Sequence, residues 1–180
     1  MARLLMALSG AIHRLNRWIG RGVSWLTFVL DLLVTADVVM RYLFRVSFTA
    51  QQELEWHLFA VIFLLGGGYT LSHNGHVRVD IFYQRLPRRG RALIDLLGSL
   101  VFLFPGCYLV ITSSIPFVAD SFRIGETSPN PGGLPARWLL KAAIPLGFAL
   151  MALQGVALFI DSLLELTGTA PAGRRREGRG

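Results

Sequence analysis

The sequence contains little that would support catalysis or a disulfide-bonded fold. Cys107 is its only cysteine, so no disulfide can form within the chain and its fold must rest on packing. Charged residues make up only 16% of the chain, and the 11 acidic residues are outnumbered by 18 basic ones. A glycine-rich phosphate loop, a nucleophile with a base at workable spacing and a cluster of metal ligands are all missing. We therefore expect no enzyme activity, no catalytic residue, no cofactor and no metal site.

Four long apolar runs dominate what is present. Hydrophobic residues make up 53% of the chain and the mean hydropathy is +0.51, which is outside the range of ordinary soluble domains. Each run meets or approaches the ~20 residues that a helix needs to cross ~30 Å of hydrocarbon, and none alternates like a barrel strand. The sequence predicts an all-α membrane protein whose single domain, 22–165, has four transmembrane helices at about 22–43, 54–71, 92–117 and 138–164.

Arginine is unevenly distributed among the segments that flank these runs. Three segments are rich in it, with Arg3, Arg14, Arg17 and Arg21 before the first run, Arg78, Arg85, Arg88, Arg89 and Arg91 in the second loop, and Arg174, Arg175, Arg176 and Arg179 in the tail. Segments of this kind stay in the cytoplasm, so both termini are predicted to be cytoplasmic. The net charge of +7 is explained by this topology, with membrane lipid as a partner, and no basic run interleaved with aromatics indicates nucleic acid.

Two end segments are predicted to lie outside the four spans. In residues 1–21, Leu4, Leu8 and Ile12 recur at helical spacing among arginines, which is typical of an amphipathic helix lying at the membrane interface. The segment 166–180 is short, basic and poor in large apolar side chains, so we expect a disordered cytoplasmic tail.

Polar residues inside the predicted spans are candidate functional groups. Asp31 lies well inside the first span, where an ionised carboxylate costs at least a few kcal/mol without a partner or a wet cavity. It is interpreted either as a coupling-ion or proton site, or as a neutral or hydrogen-bonded acid that faces a partner helix. Asp37 and Arg41 are four residues apart and predict a structural ion pair near the helix end. Gln154 predicts an amide bridge to a neighbouring helix or to another chain.

Two local patterns concern packing and docking. The three consecutive glycines at 66–68 remove side chains from almost a full helical turn, which favours close approach of another helix. Residues 126–135 combine three prolines and two glycines with short polar side chains, which predicts a rigid, turn-rich loop on the outer side of the membrane. Such a loop is suited to docking.

Three stretches of the sequence carry a family resemblance. They are RYLFRVSFTAQQELEW at 41–56, HNGHVRVDIFY at 73–83 and ETSPNPGGLPARWLLKAAIPLGFALMALQ at 126–154. Together they resemble the small, four-helix permease subunit of tripartite ATP-independent periplasmic (TRAP) transporters, the DctQ-type family, over about residues 20–165. The stretches GHVRVDIFY and GGLPxxxLLK are similar to those typical of the branch labelled mannitol/chloroaromatic.

The resemblance implies a subunit of the bacterial inner membrane that scaffolds a large permease subunit. That larger partner would carry the substrate and sodium sites, and a soluble periplasmic substrate-binding protein would deliver the substrate, an organic acid or related solute. The family offers no catalytic residue to carry over. Polar residues at helix ends in the matching stretches are our candidates for the partner interface: Arg41, Glu53, Trp56, His76, Arg78, Asp80, Glu126 and Arg137.

Two other functions remain open from the residues alone. A small self-assembling exporter could use Asp31 as its coupling acid, since an oligomer would supply the missing helices. A haem- or quinone-type membrane anchor would need axial histidines on two helices, yet His57, His73 and His76 all flank the second span. The anchor is therefore the less favoured of the two.

Overall fold

Every regular element in the described parts of the chain, residues 2–73 and 86–168 of the computed structural model, is a helix. The helices are α1 (Ala2–Val39), α2 (Thr49–Ser72), α3 (Arg88–Gly98), α4 (Phe104–Arg123) and α5 (Trp138–Leu166). Two five-residue π-helical segments extend them: Met40–Phe44 continues α1, and Ser99–Leu103 joins α3 to α4. Residues 169–180 of the predicted tail and the candidates His76, Arg78 and Asp80 lie outside the described residues.

These helices form four rods that are long and apolar enough to cross a membrane. The rods are residues 2–44, 49–72, 89–123 and 138–166. The predicted all-α membrane protein with four spanning helices is confirmed. The third rod changes its winding just before Pro105, where the Phe104 amide donates to the Ser99 carbonyl across a wider turn. Proline has no amide hydrogen and its ring crowds the preceding turn, so a π-helical turn at this point relieves the conflict.

The N-terminal segment is not a separate element. A surface helix over 1–21 and a span from residue 22 were expected, but the structure has one uninterrupted helix from residue 2, with its π-helical continuation 43 residues long. At 1.5 Å per residue such a rod is about 65 Å long, roughly twice the hydrocarbon thickness. Its buried positions follow one face from Ser9 through Ile12, Asn16 and Gly20 to Val23. The first part of α1 therefore packs inside the bundle instead of lying apart from it.

Helix α5 is the centre of the bundle. It packs against α1, α2 and the α3–α4 rod, and α1 also packs against α2. Its buried positions are mostly small or apolar: Ala143, Gly147, Gln154, Gly155, Ala157, Ile160, Ser162 and Leu164. Small side chains let helix backbones approach closely, which is how helices associate in lipid.

Glycines mark the closest helix crossings. A Cβ atom on Gly147 would lie 2.8 Å from the carbonyl carbon of Leu64 in α2. A Cβ atom on Gly68 would lie 3.2 Å from the carbonyl oxygen of Leu150 in α5 and would also collide with the side chain of Asn16 in α1. The close approach predicted at the three consecutive glycines is therefore confirmed, and all three of these helices meet there.

Candidate functional site

Two buried polar clusters stand out, one near each end of the bundle. The loop clasp consists of Glu53 and the loop residues Ser128, Asn130 and Leu134. The amide network consists of Ser9, His13, Asn16, Gln154 and Asp161. The ends of the bundle are named after them: the clasp end, where α2 and α5 begin, and the network end, where α1 begins and α5 ends.

The loop clasp joins the start of α2 to the loop between α4 and α5. Glu53 is only 3% exposed, and its carboxylate accepts three hydrogen bonds. The Ser128 hydroxyl and the Asn130 side-chain amide donate to Oε1, the latter over 3.0 Å, and the Leu134 backbone amide donates to Oε2 over 2.7 Å. Hydrogen bonds to a charged acceptor are about twice as strong as neutral ones, so one acid anchors the loop.

The loop is also closed by its own backbone. The Ser128 amide donates to the Leu134 carbonyl and the Gly133 amide to the Asn130 carbonyl, both over 3.0 Å. Gly132 has a φ of +74°, which a glycine adopts without strain. A Cβ atom on Gly133 would lie 2.8 Å from Glu53 Oε2, so glycine is needed for the carboxylate to approach. These contacts support the predicted rigid loop.

The flanks of the loop are fixed by charged and aromatic contacts. Lys141 forms an ion pair with Glu126 and lies 3.9 Å from the ring centroid of Phe117. The hydrogen bond from Lys141 holds the pKa of the Glu126 carboxyl below its usual value. The guanidinium of Arg137 lies 5.5 Å from the ring centroid of Trp56, within reach of a cation–π interaction.

The predicted interface residues at the clasp end fall into two groups. Trp56 is 40% exposed, and Arg41 is about half exposed while it forms the predicted ion pair with Asp37. Arg137 lies partly exposed over Trp56. The carboxylates of Glu53 and Glu126, in contrast, form hydrogen bonds and an ion pair within the chain. Glu53 and Glu126 therefore shape the surface on which Arg41, Trp56 and Arg137 are exposed.

The amide network joins α1 to α5 inside the bundle. Asp161 accepts from the Ser9 hydroxyl over 2.6 Å, and its other oxygen lies 2.9 Å from His13 Nε2. The Gln154 amide nitrogen lies 3.0 Å from His13 Nδ1, and its oxygen accepts from Asn16 Nδ2 over 3.0 Å. Since the Gln154 amide nitrogen is a donor, Nδ1 is the acceptor and Nε2 carries the hydrogen given to Asp161. The predicted bridge from Gln154 to a neighbouring helix is thus present.

Four members of this network were missed by sequence reasoning: Ser9, His13, Asn16 and Asp161. A signal exists in the spacing of Ser9, Asn16 and Gly20, which places small and polar residues on one face of α1. The leucines in the same segment give a competing apolar pattern, which led to the surface-helix prediction. The partners on α5 are about 140 residues away in sequence, so no local pattern could pair them.

Asp31 lies on an exposed face of α1. The carbonyl of Leu33 accepts a hydrogen bond from Gln51 Nε2 over 3.3 Å, so Asp31 lies within one turn of the level at which α2 begins. Its side chain is exposed and makes no hydrogen bond or ion pair with the described residues, 2–73 and 86–168. The interpretation of Asp31 as a coupling-ion or proton site stays a prediction.

Histidines do not gather into a ligand set in the described ranges. His57 and His73 both belong to the α2 region, and His13 is engaged by Gln154 and Asp161. Within residues 2–73 and 86–168, no group of three or more His, Cys, Asp or Glu side chains is placed to hold a metal ion.

Comparison with known proteins gives a consistent result across all four rods. The family model for the DctQ component of tripartite ATP-independent periplasmic transporters matches residues 30–165. The ectoine TRAP transporter small permease protein TeaB of Halomonas elongata is 30% identical over 132 residues, 71% of this chain and 65% of TeaB. The C4-dicarboxylate TRAP transporter small permease protein DctQ of Vibrio cholerae is 28% identical over 152 residues, 72% of this chain and 64% of that protein. The chain thus spans slightly less than two thirds of the length of these relatives.

Proposed function

The chain belongs to the DctQ component family of tripartite ATP-independent periplasmic transporters, and from this premise we propose that it is the small permease subunit of such a transporter. The observation that carries the proposal is the family match over residues 30–165, which touches all four rods. In the proposed role the chain scaffolds a large multi-span permease, which binds sodium and substrate and receives substrate from a periplasmic binding protein. The family match gives no support to an exporter or a haem anchor.

The substrate class is proposed from the relatives. The names of these two relatives refer to ectoine and to C4-dicarboxylates, which are small, strongly polar solutes that carry carboxylate groups. We propose an organic acid or a related solute for this transporter as well. The clusters described above are internal to the bundle, so the choice of substrate is assigned to the large subunit and the binding protein.

The chain is an inner-membrane protein, and we propose that both termini face the cytoplasm. Hydrogen bonds from the first turns of α1 to Asp161 near the end of α5 support this, because they bring the two ends of the chain to the same side of the bundle. The exposed Arg3, Arg14 and Arg17 lie at that end, and positive charge favours the cytoplasmic side. The clasp end would then face the periplasm.

The proposed partner surface at the clasp end is built from Arg41, Trp56 and Arg137. Aromatic and arginine side chains are the commonest anchors of protein interfaces, and the loop clasp holds the neighbouring backbone rigid. A preformed surface loses less conformational entropy on binding. At the network end, His76, Arg78 and Asp80 remain candidates from the sequence alone.

The proposed function is tested by purifying the tagged chain from its native membrane in a mild detergent and identifying its partners by mass. Recovery of a much larger multi-span protein in near-equal amount is expected. Recovery of the chain alone, or only with copies of itself, would contradict the proposal. Trp56→Ala combined with Arg137→Ala should reduce that recovery. Arg123→Ala, which removes an exposed, ion-paired arginine from the same end of the bundle, is the matched control.

A further inference from the structure

Three arginines form a stripe on the outward face of α1 near the network end. Arg14, Arg17 and Arg21 follow one another at intervals of three and four residues, so they lie along one edge of the helix. All three side chains are exposed, whereas Asn16 and Gly20 between them are buried against the bundle. Within residues 2–73 and 86–168 the three guanidinium groups have no hydrogen-bond or ion-pair partner.

This stripe lies at the level of the last turn of α2. Gly20 packs against the ring of Tyr69, which is in the last turn of α2, and Asn16 bonds to Gln154 in the membrane-spanning α5. Trp18, 78% exposed beside the arginines, is a residue type that concentrates at the boundary between headgroups and hydrocarbon. Guanidinium groups that face outward at this depth are costly unless an anion meets them.

The same edge of α1 continues as an apolar surface. Trp25, Phe28 and Leu32 follow on the outward side and are all more than half exposed, and the rings of Trp25 and Phe28 make an edge-to-face contact at 6.4 Å. A cationic end followed by an apolar track along one helix edge matches a molecule with an anionic head and a long hydrocarbon tail. An acidic protein segment would match only the first half of this surface.

We propose that Arg14, Arg17 and Arg21, together with the apolar edge from Trp18 to Leu32, form a binding site for an anionic phospholipid in the leaflet at the network end. The planar guanidinium forks bind the phosphate group in a bidentate manner. The acyl chains lie along Trp25, Phe28 and Leu32. The site depends on the chain being in a membrane and not on which transporter it serves.

The site is tested by native mass spectrometry of the purified full chain after exchange into detergent with equal amounts of phosphatidylglycerol and phosphatidylcholine. The chain is expected to retain phosphatidylglycerol preferentially. In the triple variant Arg14→Gln, Arg17→Gln, Arg21→Gln, the amount of retained phosphatidylglycerol should fall at least about tenfold. Arg123→Gln, a matched change at the clasp end, should not reduce it. Equal retention of the two lipids by the unaltered chain, or undiminished retention by the triple variant, would overturn the proposal.

A second measurement remains informative if the triple variant fails to fold, and it distinguishes a lipid occupant of the site from a protein occupant. A benzophenone amino acid in place of Trp18, with the arginines intact, is irradiated in the native membrane. A phospholipid adduct on the chain is expected, and its yield should fall in the single variant Arg17→Gln. An adduct to another protein instead of lipid would overturn the assignment of the occupant.

Discussion

The loop clasp and the amide network solve the same problem with different chemistry. Each ties together elements that are far apart in sequence, by 75 to 81 residues in the clasp and by 138 to 152 in the network. The clasp uses one carboxylate that accepts three hydrogen bonds from a loop. The network relies on amides, an imidazole and a hydroxyl, with Asp161 as its only acid. Each cluster contains one carboxylate, but that of Glu53 accepts every bond to the loop, whereas mostly neutral groups join the helices in the network.

The difference follows from the surroundings of each cluster. A buried charged group is expensive unless it is paired and hydrogen-bonded, whereas neutral amides can satisfy each other inside a bundle at lower cost. Hydrogen bonds between membrane helices contribute about 0.6 kcal/mol on average, because the separated helices also find partners. The network is therefore expected to fix the register of α1 on α5 more than to stabilise the fold. The clasp is expected to decide whether the loop is ordered at all.

The largest effect is expected from Glu53→Gln. The new side chain presents an NH₂ group to at least one of the three donors and loses the charge that strengthens their hydrogen bonds, so the loop should open. We expect proteolysis between residues 124 and 137 to rise about tenfold in detergent while the helix content is unchanged. Glu165→Gln, at an exposed acid near the other end, is the control. Equal cleavage rates for the two variants would show that the clasp does not order the loop.

A smaller effect is expected where the network meets the consecutive glycines. Gly68→Ala places a methyl group against the side chain of Asn16 and 3.2 Å from the Leu150 carbonyl oxygen. Overpacking of this kind costs about 1–3 kcal/mol, which should appear as a lower melting temperature. Gly22→Ala is the matched control, because nothing lies within 4 Å of its Cβ position. If the two variants had the same melting temperature, the helices would not be in close contact at Gly68.

A still smaller effect is expected within the network itself. A double-mutant cycle of Asn16→Ala and Gln154→Ala should give a coupling energy of about 0.6 kcal/mol and at most ~1.7 kcal/mol, the range for hydrogen bonds between membrane helices. The unfolding free energies of the two single variants, the double variant and the unaltered chain supply the cycle. A coupling near zero would mean that the Asn16–Gln154 bond fixes geometry without stabilising the folded state.

The four spans were predictable because long apolar runs have few alternatives in a chain of this composition. The glycine crossing was predictable for a similar reason, since removal of side chains over a full turn has a direct steric meaning. The loop was predictable as a rigid turn from its prolines and glycines. Glu53 was identified as important, but as a partner contact, because only the fold brings its carboxylate to Ser128 and Leu134.

The position of α1 was not predictable from hydropathy. The apolar run from residue 22 set the expected start of the first span, yet α1 packs into the bundle from Ser9 and ends beyond the start of α2. That offset is fixed by tertiary contacts of Asn16 and Leu33 with α5 and α2.

The smallest effect is expected from the ion pair on the flank of the loop. The hydrogen bond from Lys141 lowers the pKa of Glu126 in the folded state, so the ionised acid stabilises the fold above its ordinary pKa of about 4.3. That contribution is lost as the pH falls through the lowered folded-state value. Glu126→Gln should therefore melt slightly below the unaltered chain at pH 7, and the difference should shrink as the pH is lowered below about 4.

Asp120→Asn separates this local effect from the general response to acid. Asp120 also pairs with an arginine, Arg123, but both side chains are well exposed, and exposed pairs contribute little. The melting temperature of the Asp120→Asn variant should therefore equal that of the unaltered chain at every pH. If Glu126→Gln kept the same deficit at pH 3 as at pH 7, the loss would come from packing and not from charge. The flank of the loop would then resemble the amide network more than the loop clasp.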